Sequence, residues 1–218
     1  KPIPPVIALQ AMTEGGVDAP ATEQDVSDLI DMTREALGGD HAQPTTVVWP
    51  ENSIPESAQR RVADAAAELR VNIVYHTTEH DGEGVYKKTV VVDGSTGEAV
   101  LANYKQHIAP DEELGVSRAS RSIVELGGRR VTAYICYDMH YPDVVGRLRG
   151  SDVAYVPLND AAYGYVQKQF HAADIALRAA QADTAVVVAS TNGPTMIVNS
   201  NGVVTQFLNT SDAGHIRN

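Results

Sequence analysis

The feature that most constrains this chain is an alternation. Short apolar runs rich in β-branched residues take turns with stretches whose apolar residues recur at helical spacing. Pro5–Gln10 (PVIALQ), Thr45–Trp49 (TTVVW), Val71–Tyr75 and Val153–Leu158 read as strands. Between the first two lies Thr22–Leu37, where Thr22 is placed to cap a helix. Val26, Leu29, Ile30, Thr33 and Leu37 fall near helical spacing, and Gly38 and Gly39 end it. Ser53-Ile54-Pro55-Glu56 reads as a capping box that opens a second helix running to about Arg70, with Val62, Ala65, Ala66 and Leu69 on one face. Strands separated by amphipathic helices pack as layers, with helices outside a sheet.

The middle of the chain is hairpin-like. Val85–Asp93 and Glu98–Tyr104 flank the turn-rich Gly94-Ser95-Thr96-Gly97, and Arg121–Leu126 and Arg129–Tyr137 flank Gly127-Gly128. These hairpins make the sheets partly antiparallel. Pro142–Leu148 reads as a short helix and Gln169–Ala182 as an alanine-rich one. Thr184–Thr191, Thr195–Asn199 and Val203–Phe207 read as strands, with a tight turn at Asn201-Gly202. Nothing repeats at a fixed period and no low-complexity linker divides the chain, so the expectation is one mixed α/β domain over 1–218. The chain stops about ten residues after its last expected strand, which points to further residues beyond its C-terminus.

A formal charge of −11 argues against a nucleic-acid groove, which needs clustered Lys and Arg. Cys136 is the single cysteine, so no intrachain disulfide forms, and the redox compartment stays open. No apolar run approaches the ~18–20 residues that span a bilayer, and KPIPPVIALQ lacks the length and flanks of a signal peptide. With a single cysteine and seven histidines spread along the chain, neither a zinc site nor any other metal or cofactor is expected.

Three apolar runs stop at a reactive side chain. VVWPENS places Glu51 just after a strand and a proline, VLANYKQH places Lys105 just after a strand, and VTAYICYD places Cys136 at or near a strand end. Active sites of layered α/β folds gather at strand ends, where loops converge. A thiol, a carboxylate that takes and returns its proton, and an ammonium that lowers the thiol pKa and stabilises an oxyanion make a coherent acyl-transfer set. The N–H of Tyr137, next after the thiol, is a second oxyanion donor in that scheme. Each residue also has an ordinary reading: an acid at a helix start for Glu51, an exposed strand-end charge for Lys105, a core side chain for Cys136. Composition and spacing alone do not bring the three together.

Four segments in order do: VVWPENSIPE, NYKQHIAPDEE, AYICYDMHYPD and PLNDAAYG. They resemble the nitrilase, or carbon–nitrogen hydrolase, superfamily, and within it are most similar to the catalytic domain of apolipoprotein N-acyltransferases. The likeness covers nearly the whole chain. It implies a four-layer αββα sandwich, with Glu51 of the WPE motif as general base, Lys105 of the YxKxH motif as oxyanion stabiliser and Cys136 of the ICY motif as nucleophile. It also implies a second glutamate eight residues after the lysine, which falls on Glu113; Asp111 and Glu112 replace an aromatic and a glycine there. In NDAAYG, Asn159 and Tyr163 are implied to line the substrate, and Ala162 stands where the acyltransferases carry tryptophan. His171 and Arg178 match positions of the following helix, while Gln181 and Thr184 replace a usual glutamate and arginine. Arg178 either pins that helix to a carboxylate or is surface.

The resemblance implies a ping-pong transfer without cofactor or metal. Cys136 takes an acyl chain from a phospholipid and passes it to the N-terminal amine of a lipoprotein. Flanking membrane segments absent from these residues would hold the module at the extracytoplasmic face of the cytoplasmic membrane. One alternative is a soluble cytoplasmic amidase or nitrilase acting on a small amide; another is an inactive binding module of the same fold. The oligomeric state is not implied by any motif.

Overall fold

The computed structural model describes residues 2–11, 21–39, 44–51, 54–110, 118, 122–208 and 212–218. Its first half runs β1 (Val6–Gln10), α1 (Glu23–Leu37), β2 (Thr45–Val48), α2 (Gln59–Leu69), β3 (Val71–Asp81), β4 (Gly84–Asp93) and β5 (Glu98–Tyr104). Its second half runs β6 (Val124–Leu126), β7 (Arg129–Ala133), a 3-10 turn (Cys136–His140), α3 (Val144–Leu148), β8 (Val153–Asn159), α4 (Tyr165–Ala182), β9 (Ala185–Thr191), β10 (Thr195–Val198), β11 (Val204–Leu208) and β12 (Gly214–Arg217).

Two six-stranded sheets result, ordered β12-β1-β2-β3-β4-β5 and β11-β10-β9-β8-β7-β6. Both follow one plan. Three neighbouring strands are parallel (β1, β2, β3 and β7, β8, β9), and every other pairing in each sheet is antiparallel. The parallel strands are joined by helices, as parallel connections require. The sheets face each other across an apolar layer in which Val6, Ala8, Val48 and Val74 of the first meet Ala133, Tyr155, Val187 and Ile197 of the second. The opposite face of the first sheet packs on α1 and α2 through Leu9, Trp49, Ile73, Val26, Ile30 and Val62. That of the second packs on α3 and α4 through Val156, Leu158, Val188, Leu148, Ile175 and Ala179. The fold is therefore the αββα sandwich, and all-buried strands such as β8 and β9 are apolar because both of their faces are covered.

Local chemistry sets most boundaries. Thr22 caps α1 by accepting from the Asp25 N–H, Asp25 returns a bond to the Thr22 N–H, and Gly38 ends the helix at φ 67°. Other expectations shift. α2 is preceded by a 3-10 turn, Glu56–Ala58, whose cap position, Pro55, makes no side-chain bond; Ser53 lies outside the described residues. β3 continues past Tyr75 through the polar HTTEHD, because β4 pairs with it as far as Asp81↔Gly84. The β7 strand stops at Ala133, well short of Tyr137. α4 starts at Tyr165, four residues ahead of Gln169, where the Gly164 N–H donates to the Gln167 side chain at 2.8 Å. β12 was not foreseen; it pairs antiparallel with β1 at the sheet edge.

Candidate active site

Glu51, Lys105 and Cys136 arrive from three strand ends. The Trp49 N–H continues the β2 ladder by donating to Val74 O at 2.9 Å, and two residues later the Glu51 N–H donates to Leu158 O at 3.2 Å, crossing to the second sheet. Lys105 follows β5 directly, its N–H donating to Lys87 O at 2.8 Å. Cys136 lies three residues beyond β7, first in the 3-10 turn, with φ 39°. A left-handed φ on a residue with a Cβ is uncommon and must be held by its surroundings.

The three side chains meet. Lys105 Nζ is 3.3 Å from Glu51 Oε1, and the Cys136 thiol is close enough to the same carboxylate to help hold its pKa down. Cys136 Sγ also lies 4.0 Å from Asn159 O. All three residues are buried, each under 5% exposed. Burial alone would raise the Glu51 pKa; the charges of Lys105, His76 and Lys87 overcome it and hold the carboxyl at about 2. Burial and then the Glu51 charge push the Cys136 thiol well above its ordinary value, and the opposing pull of Lys105 is smaller. The ammonium does lower the thiol pKa as expected, but burial and the carboxylate outweigh it. The resting pair is a neutral thiol beside a carboxylate, so proton removal has to accompany attack.

Buried polar groups fix this meeting point. Asn103, two residues before Lys105, donates to Ala133 O at 2.9 Å and to Thr132 Oγ1 at 3.2 Å, tying the lysine strand to the cysteine strand. Asp138, two residues after Cys136, accepts from the N–H groups of Gln106 at 2.9 Å and His107 at 2.8 Å. Burial raises the Asp138 pKa to about 6 against these bonds and the Lys105 charge. Behind the turn, the buried His171 sits between Asp160 Oδ1, 2.9 Å away, and Cys136 O, 3.1 Å away.

The other expected residues fare variously. Tyr137 is half-buried, its ring edge-on to His140 and Tyr141. Asn159 offers its main-chain oxygen to the sulfur, while its side-chain oxygen accepts from the Ala161 N–H at 3.0 Å and so shapes its own loop. Tyr163 is half-buried near the thiol; burial and then the charges of Cys136 and Asp160 raise its pKa. Glu113 lies outside the described residues. Arg178 is buried and binds no carboxylate among its bonds here: it donates to His140 O at 3.0 Å and to the Gln181 side chain at 2.8 Å, so glutamine serves where a glutamate is usual. Cys136, Asp160 and His171 bring donor atoms within 4.8 Å of one another. Both ring nitrogens of His171 are already engaged, which makes this a hydrogen-bonded pair behind a thiol.

With this geometry in view, the family pattern for carbon-nitrogen hydrolases matches residues 19–214. The chain belongs to the carbon-nitrogen hydrolase family. Similar curated proteins are named apolipoprotein N-acyltransferase. That of Allorhizobium ampelinum is 28% identical over 79% of this chain and 39% of its own length; that of Rhizobium meliloti is 30% identical over 83% and 41%. The chain thus spans about two-fifths of these relatives. Among solved structures, an amidase from Nesterenkonia sp. superposes with TM-score 0.78 at 19% identity, covering 98% of this chain and 88% of that one. A variant of that amidase shows covalent addition of the acetamide moiety of fluoroacetamide at its active-site cysteine. The fold of the chain is thus the one seen in that amidase. Among the described residues no helix is long and apolar enough to cross a membrane.

Sequence reasoning missed His76 and Lys87 beside Glu51, the Asn103 tie, the Asp138 clamp and the Asp160–His171 pair. The available signals were that Asp138 stands two residues from Cys136, that Asp160 lies within the NDAAYG segment, and that His171 matches a position of the following helix.

Proposed function

We propose that the chain is the acyl-transfer module of an apolipoprotein N-acyltransferase-type enzyme, with Cys136 as nucleophile. The neutral thiol attacks the ester carbonyl of a phospholipid while Glu51 takes its proton. Lys105 and the Tyr137 N–H stabilise the oxyanion. The C–O bond breaks, the leaving alkoxide receives the proton from Glu51, and an acyl thioester remains on Cys136. The amine of a lipoprotein N-terminus then attacks the thioester; Glu51 takes its proton and returns it to the sulfur. On this reading the module works at the extracytoplasmic membrane face.

One observation favours a lipid donor over a small amide. Tyr165, Val166 and Phe170 follow the Asn159–Tyr163 loop directly and are 71%, 62% and 66% exposed. Large apolar side chains left in water on the first turns of α4, the helix that carries His171, suit an acyl chain or a lipid surface better than a small polar amide. The names of the relatives support the same reading. The test is incubation with acyl-labelled phosphatidylethanolamine and a diacylglyceryl lipopeptide, beside a panel of short amides. Label on the lipopeptide amine is expected. Ammonia release from the amides with an unlabelled lipopeptide would instead establish an amidase.

A further inference from the structure

The Asp160–His171 pair takes no part in the steps above, yet it is bonded to the nucleophile's own peptide group. Asp160 follows β8 and His171 lies on α4, and both are fully buried. His171 Nε2 is 3.1 Å from Cys136 O, and a carbonyl oxygen only accepts, so Nε2 carries a hydrogen and donates. Nδ1 is 2.9 Å from Asp160 Oδ1, and a neutral imidazole has only one N–H. A second proton therefore lies between ring and carboxyl, and the pair presents Cys136 O with a strong, oriented donor. The ring is held in place: His140 stacks on it at 4.1 Å and 21°, and is itself fixed by Asp174 at 2.7 Å and, through its carbonyl, by Arg178.

Cys136 C=O and Tyr137 N–H belong to one planar peptide unit and point in opposite directions. A bond donated to that oxygen draws density from the nitrogen and makes the N–H a better donor. The first i→i−3 bond of the turn runs from Asp138 N to Ile135 O at 2.9 Å, so the Tyr137 N–H stands ahead of it, outside the turn's own bonding. The same bond to Cys136 O also helps hold the left-handed φ of 39°.

We propose that Asp160–His171 is a positioning pair that fixes and polarises the Cys136–Tyr137 peptide, so that the Tyr137 N–H faces the reacting carbonyl as an oxyanion donor. The proposal rests on Cys136 being the acylated nucleophile.

Two reactions of the same thiol separate this role from simple structural support. Acylation by p-nitrophenyl hexanoate passes through an oxyanion; alkylation by iodoacetamide does not. In His171→Leu, acylation should fall roughly 10–100-fold, less than removal of an oxyanion donor outright. Alkylation should stay within about 3-fold, because no oxyanion forms there. His171→Gln, which restores an N–H to Cys136 O, should recover part of the loss. Should His171→Leu not fold, Asp160→Asn carries the same comparison with a smaller selective loss. Equal falls in both reactions, or no fall in acylation, overturn the proposal. If the unaltered chain is alkylated at Cys136 but never acylated, the acyl-transfer reading fails first and the proposal with it.

Discussion

The two sheets share one strand plan, yet they hold their reactive residues by different means. The first sheet delivers Glu51 and Lys105 just beyond extended strands, each placed by a main-chain bond, Lys105 to Lys87 of the adjacent β4 and Glu51 across to Leu158 of the second sheet. The second delivers Cys136 on a left-handed turn held by side chains: Asp138 toward the lysine segment, His171 on the carbonyl, Arg178 at the turn's end. Acid and amine are thus set by main-chain bonds to strands. The nucleophile is set by a buried polar network, in which each unsatisfied member would cost about 1–3 kcal/mol.

That contrast yields graded expectations. Cys136→Ala should abolish acylation, by ~10⁴-fold or more, with little change in Tm, because a small buried side chain loses only its sulfur. Lys105→Met should combine loss of activity with a stability loss of about 3–5 kcal/mol in urea unfolding, since it strands the buried Glu51 carboxylate. Equal stability of these two variants would break the distinction drawn here. Next in size, Asp138→Leu should slow acylation about 10²-fold by freeing the Gln106–His107 backbone and misplacing Lys105, whereas Asp138→Asn keeps an acceptor and stays near the parent rate. Thr33→Val, in the first half, orphans Trp49 Nε1, now 3.0 Å from Thr33 Oγ1; it should lower stability by about 1–2 kcal/mol and leave the acylation rate unchanged.

A further effect, spread over a range of pH, comes from titration. Asp138 titrates at about 6 in the fold against an ordinary 3.8. Between those values the unfolded chain has released this proton and the folded chain keeps it. Asp138 therefore lowers stability as pH rises through that window, by ~3 kcal/mol at most. Glu51, held at about 2 against 4.5, acts oppositely: its stabilisation is present above pH ~4.5 and lost as pH falls toward 2. Urea midpoints of Asp138→Asn and the parent should converge near pH 4 and separate by pH 7.

The same contrast explains what the sequence made legible. Glu51, Lys105 and Cys136 each end an apolar run, so the strand-end rule found them, and Thr22 announced α1. β12 was hidden because GHIR is polar and half-exposed at a sheet edge, and the extension of β3 because HTTEHD is held by pairing with β4. The start of α4 was obscured by Tyr165, Val166 and Phe170, apolar residues that face solvent where the pattern expects polar ones. The Asp160–His171 pair joins a strand end to a helix. It has no characteristic spacing, and only three-dimensional packing shows that it meets the cysteine carbonyl.

The most direct measurement is peptide mapping by mass after incubation with acyl-labelled phospholipid. A single hydroxylamine-labile acyl group on the peptide carrying Cys136, absent from Cys136→Ala, is the predicted result. Acyl label on another residue, or label that persists in Cys136→Ala, would contradict the account.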